Sequence, residues 1–130
     1  MVVVDLDRAQ AIDTLRGFGL PYRLAVTPDG RRAVITDPVR AEVRIVDAAT
    51  RRDLATLHVP TDSIVSTAEI AGSPSPEGIT ISPDSRWAFI TLQGRNRVIT
   101  VDLDDARIVG WARTGTWSDG VGFSRIVAQH

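Results

Sequence analysis

Carboxylates recur through this sequence at fixed places. Asp5, Asp47 and Asp102 each close a short run of β-branched residues, and Asp29 and Asp84 each follow a proline. Paired carboxylates can hold a cation or carry out acid–base chemistry. Each of these, however, lies at or just before a turn, where aspartate bonds nearby backbone N–H groups, so capping is the expected role. A second set has more scope. Tyr22, Glu77 and Asp119 hold one equivalent position in a repeated pattern yet differ in chemistry, whereas structural positions in a repeat tend to agree. Two carboxylates and a phenol near one axis could hold a cation or a polar ligand. Trp117, two residues before Asp119, offers an aromatic platform beside them.

Several kinds of chemistry are excluded. All 15 basic residues are arginine, which removes a Schiff-base lysine, a lysine general base and a Walker-type phosphate loop. With no cysteine there is no disulfide, thiolate nucleophile or cysteine-held metal. The two histidines, His58 and His130, have no partner at ligand spacing, so neither a histidine metal site nor a Ser-His-Asp triad is supported. No cofactor is implied. A net charge of −1 and a pI near 6.1 provide no positive field for nucleic acid. No apolar run approaches the roughly 20 residues of a spanning helix, and Met1–Asp7 lacks the basic and apolar regions of a signal peptide.

A repeat must position these residues. Pro21 to Thr36 aligns without a gap on Pro76 to Thr91, an offset of 55, and the same offset carries Val43–Asp47 onto Val98–Asp102. Asp5 precedes Asp47 by 42, and Gly120 and Ser124 follow Gly78 and Ser82 by 42. The basic period is therefore 42, with about 13 extra residues inserted once, within Pro60–Ser75.

Each unit holds four short apolar stretches separated by turn residues, the pattern of antiparallel strands. First strands are expected at Leu24–Val26 and Ile79–Ile81, second strands at Ala33–Thr36 and Trp87–Thr91, and third strands ending at Asp47 and Asp102. Fourth strands are expected at Ile12–Leu15, Leu54–Leu57 and Ile108–Trp111, with no helix. Four antiparallel strands every 42 residues is the length of one β-propeller blade. The fold class is all-β, with antiparallel four-stranded blades forming an incomplete propeller. The divisions are 1–20 as the end of one blade, 21–59 and 76–114 as full blades, 60–75 as an insertion loop, and 118–124 as the first strand of another. An open arc exposes apolar faces and strand edges, so further blades are expected as partners, from more sequence or from self-association.

The run Pro76-Glu77-Gly78-Ile79-Thr80-Ile81-Ser82-Pro83-Asp84-Ser85, followed by a strand and then Val98 to Asp102, resembles the YVTN-type propeller repeat. Pro21 to Asp47 shows it again, with Arg23 in the place of the glycine. The resemblance implies a closed ring of six to eight blades and commonly an exported bacterial protein, periplasmic or secreted. It also implies that the first strands line a central channel, which puts Tyr22, Glu77, Asp119 and Trp117 at the channel mouth. Trp87 and Trp111 are expected to pack between blades, and the pairs Arg31-Arg32 and Arg51-Arg52, with Arg95 and Arg97, to be solvated faces rather than an anion site. Pro60–Ser75 is either a loop over the mouth or a plain surface loop.

The functional expectation is a binding or scaffold module for a protein or small ligand, without catalysis of its own. The alternative is a fragment of a propeller enzyme, a lactonase-like hydrolase with Glu77 and Asp119 as cation ligands or acid–base groups.

Overall fold

Backbone pairing in this chain follows the turn chemistry closely. The computed structural model describes residues 1–61 and 72–124. A two-stranded ribbon of β1 (Val2–Asp5) and β2 (Gln10–Thr14) comes first. One four-stranded sheet follows, β3 (Arg23–Val26), β4 (Arg32–Asp37), β5 (Glu42–Asp47) and β6 (Asp53–His58), paired in that order. A second contains β7 (Pro76–Ile81), β8 (Trp87–Leu92), β9 (Arg97–Asp102) and β10 (Arg107–Arg113), again in order. All pairings are antiparallel. A single 3-10 turn at Gln93–Arg95, not expected from the sequence, links β8 to β9 and ends in Asn96 at φ 50°.

The third-to-fourth-strand hairpins show how local chemistry sets register. Asp5, Asp47 and Asp102 each cap their turn, as expected: Asp47 Oδ1 accepts from the Thr50 N–H and hydroxyl, Asp5 Oδ1 from Asp7 and Arg8 N–H, and Asp102 Oδ1 from Asp104 and Asp105 N–H. Each turn then passes through a left-handed residue, Ala9, Arg51 or Ala106, with φ 50°, 62° and 49°. A bulge follows in each ladder. Four residues lie between the closing pair of each hairpin, and the last of the four is left-handed, a conformation normally given to glycine. The backbone here keeps the conformation while the sequence does not supply the glycine, so the signal is muted.

Burial varies across each sheet. β5 is buried on both faces apart from its last residue, and the final four residues of β4 are buried, whereas β6 and β10 alternate. The middle strands are covered on both sides and the outer strands on one. Val34, Val43, Ile45, Ile90, Leu92 and Val101 form the common core. The sheets meet through β7, which packs on β3 and β4. Ile79 and Ile81 of β7 pack against this core. Their equivalents in the preceding unit, Leu24 and Val26, are 48% and 53% exposed, because only the ribbon covers that side. An apolar groove of about 170 Å³ remains there, lined by Val3, Leu15, Leu24, Val26 and Val46.

The arginine pairs expected to be solvated are split in role. Arg32 reaches Asp104 of the next sheet at 2.9 Å and Arg51 reaches Asp13 of the ribbon at 2.6 Å, while Arg31 and Arg52 are exposed. Trp111 is 54% exposed with Arg97 stacked on it, and it lines a groove between the two sheets without filling the contact between them. Residues 118–124 belong to no sheet. A first strand takes its ladder from a second, and no such strand follows among the described residues. Most of the Pro60–Ser75 insertion, and His130, lie outside the described residues. Of the part described, Ser73 and Ser75 are buried: Ser73 Oγ donates to the Pro38 carbonyl and Gln93 N–H to the Ser75 carbonyl.

Candidate functional site

Two threonines build the site's frame. Thr36, late in β4, accepts the Arg23 N–H on Oγ1 at 3.2 Å and donates to the Glu77 carbonyl of the next sheet at 2.9 Å. Thr91, its equivalent in β8, accepts the Gly78 N–H at 2.8 Å and donates to the Asp119 carbonyl at 2.8 Å. One hydroxyl thus satisfies a donor in its own sheet and an acceptor in the next unit. An unpaired buried backbone group would cost about 1–3 kcal/mol. The repeat places Glu77 and Asp119 in one structural position, and that position is held by the main chain.

Gly78 shows how tight this contact is. A Cβ there would lie 1.8 Å from the Asp119 carbonyl oxygen and 2.8 Å from Thr91 Oγ1. Only glycine allows the two backbones so close.

The side chains diverge from that shared frame. Tyr22 is 39% exposed at the start of β3, and Glu77 is buried, at 2%. Arg23 joins Tyr22 to Asp119: its guanidinium lies 5.1 Å from the centre of the Tyr22 ring, and its NH2 group is 3.6 Å from Asp119 Oδ2. Asp119 Oδ1 is buried and accepts no hydrogen bond. Trp117 is 52% exposed, at φ 59°, and makes no hydrogen bond or ring contact with the other three. Tyr22 and Asp119 are therefore brought together through Arg23. Glu77 is tied to them through the backbone, and Trp117 stands apart.

Arg23 is the residue that sequence reasoning passed over. The signal was its departure from the repeat, an arginine where the matching positions hold Gly78 and Gly120. A residue that breaks a structural rule inside a repeat is a candidate for function.

Electrostatics elsewhere follow from the turns. The Thr27 hydroxyl and the Arg31 N–H hold the Asp29 carboxyl below its ordinary value. The Ser82 hydroxyl and the Arg86 N–H do the same for Asp84. At Asp102 burial works in the opposite direction, yet the N–H groups of Asp105 and Asp104 with Arg86 bring its pKa down. These carboxylates are committed to turns. Among the described residues, no group of three or more histidine, cysteine, aspartate or glutamate side chains is placed to hold a metal ion.

No protein-family model matches the chain, and no curated protein matches it. Solved structures do. The chain is similar to hydrazine synthase of Kuenenia stuttgartiensis, at 19% identity and a TM-score of 0.65 over 83% of this chain and 29% of that one. It is similar to the dihydro-heme d1 dehydrogenase NirN, solved in complex with DHE, at 16% identity and a TM-score of 0.66 over 85% and 21%. It is also similar to the β-propeller domain of Cps50 (Swd1) from Myceliophteria thermophila, at 19% identity and a TM-score of 0.65 over 83% and 30%. The chain spans less than a third of each of these proteins. With two antiparallel four-stranded sheets packed in sequence, it has the fold of a partial β-propeller.

Proposed function

We propose that this chain is a binding or scaffold segment of a β-propeller, in which Tyr22, Arg23 and Asp119 form a polar recognition surface at the leading ends of the first strands. The carrying observation is the Arg23 bridge, which joins a phenol and a carboxylate from separate units and leaves Asp119 Oδ1 buried with no donor. A guanidinium beside Asp119 opposes a bare cation there, so a small polar ligand or a protein side chain that donates hydrogen bonds fits better. It also weighs against the hydrolase reading, which needs Glu77 and Asp119 as metal ligands or a free acid–base pair.

The resemblance to YVTN-type repeats belongs to this proposal, as does the identity of the partners. The exposed Leu24 and Val26 and the apolar groove beside them support docking of a further blade on that side.

The test is a fragment screen by NMR on the chain assembled with its neighbouring blades. The reading expects polar fragments to shift Tyr22, Arg23 and Asp119, and Arg23→Ala or Asp119→Ala to abolish those shifts. Binding that survives both substitutions contradicts it.

A further inference from the structure

Away from β7 the two four-stranded sheets spread apart, and between their outer strands lies a groove of about 440 Å³. That volume suits a small molecule. Val59, Ile99 and Ile108 supply apolar lining, and Trp111 forms one wall. The Arg97 guanidinium lies 3.9 Å from the centre of the Trp111 ring. Stacking occupies the face of the guanidinium and leaves its in-plane N–H groups to fork an acceptor. Arg97 has no ion pair among the described residues, although eight other acid–base contacts are formed there.

The charge in the groove is one-sided. None of its lining residues among those described is acidic. Arg95 donates to the Pro60 carbonyl at 3.1 Å and fixes the rim. His58 Nδ1 lies 3.4 Å from Glu42 Oε1, and the Arg97 guanidinium makes no hydrogen bond or ion pair with the described residues. One fixed fork beside an indole and aliphatic side chains matches a planar monoanion on an apolar ring.

We propose that this groove binds a small aromatic carboxylate, with its ring against Trp111 and Ile99 and its carboxylate forked by Arg97. The site is separate from the first-strand surface and does not depend on it.

The test titrates the isotope-labelled full chain with benzoate and, as its neutral counterpart, benzamide. Benzoate is expected to shift the Trp111 indole N–H and the Ile99 and Ile108 amides, and to bind about tenfold or more tighter than benzamide, as expected for a charge-assisted pair. Arg97→Gln should remove that preference, and Arg97→Lys, which keeps charge without the fork, should recover only part of it. Equal affinity for the two probes, shifts located elsewhere, or an Arg97→Gln variant that binds benzoate like the parent overturns the proposal. Should Arg97→Gln lose the dispersed spectrum of a folded chain, the two-probe comparison on the parent chain still decides.

Discussion

The hydroxyl of Thr91 sits between two backbones, accepting from Gly78 N–H and donating to the Asp119 carbonyl, each at 2.8 Å. Thr36 repeats the arrangement with Arg23 N–H and the Glu77 carbonyl. Contacts between successive units are thus set by a side chain reading main chain, which tolerates variation at the residues it joins.

Replacing Thr91 with valine keeps the shape and strands both partners. Thr91→Val should destabilise the chain by about 1–3 kcal/mol, while Thr91→Ser, which keeps the hydroxyl, should cost less. Urea unfolding monitored by tryptophan fluorescence measures both.

Gly78→Ala should cost more than an ordinary surface change, because its Cβ would fall 1.8 Å from the Asp119 carbonyl oxygen. The 118–120 segment would have to leave β7, and the Thr91 hydroxyl would lose an acceptor. Faster hydrogen exchange at Gly120 and Val121 in the variant is the expected sign.

Much of this arrangement was legible in the sequence. Turn residues gave the strand order because Asp29, Asp47, Asp84 and Asp102 bond the backbone beside them, an interaction that needs no knowledge of the rest of the chain. The equivalence of Glu77 and Asp119 was legible for the same reason of register. What lay out of reach depends on distant contacts. Arg23 meets Asp119 across 96 positions of sequence, and nothing local to either residue reports that. Arg97 stacks on the Trp111 ring from the neighbouring strand, a cross-strand pairing that the run of residues around either one does not report. The left-handed Ala9, Arg51 and Ala106 hid their hairpin type by not being glycine.

Ala41 is left-handed as well, at φ 54°, matching Asn96 at φ 50° in the next unit. Glycine escapes the Cβ clash at such a position but loses more entropy on folding. Ala41→Gly should therefore stabilise the chain by up to about 1 kcal/mol. A rise in the thermal midpoint by differential scanning calorimetry would show it.

Acid should destabilise the fold through the turn carboxylates. Asp29, Asp47 and Asp84 have folded pKa values below the ordinary 3.8, lowered by hydroxyl and backbone N–H donors. A group lowered in the folded state contributes stability above its unfolded pKa and loses it as pH falls through the folded one. The urea midpoint should hold level from these groups between pH 7 and 5 and fall below about pH 4. Asp47→Asn should flatten that fall.

The central claim is that two four-stranded blades stand side by side and meet through their first strands. Nuclear Overhauser contacts across the labelled chain test it most directly. The account predicts contacts from the Thr36 methyl to the Gly78 amide and from the Thr91 methyl to the Gly120 amide, together with β3–β4 and β7–β8 cross-strand contacts. Two sheets stacked face to face, with neither threonine methyl near the next unit's first strand, would contradict it.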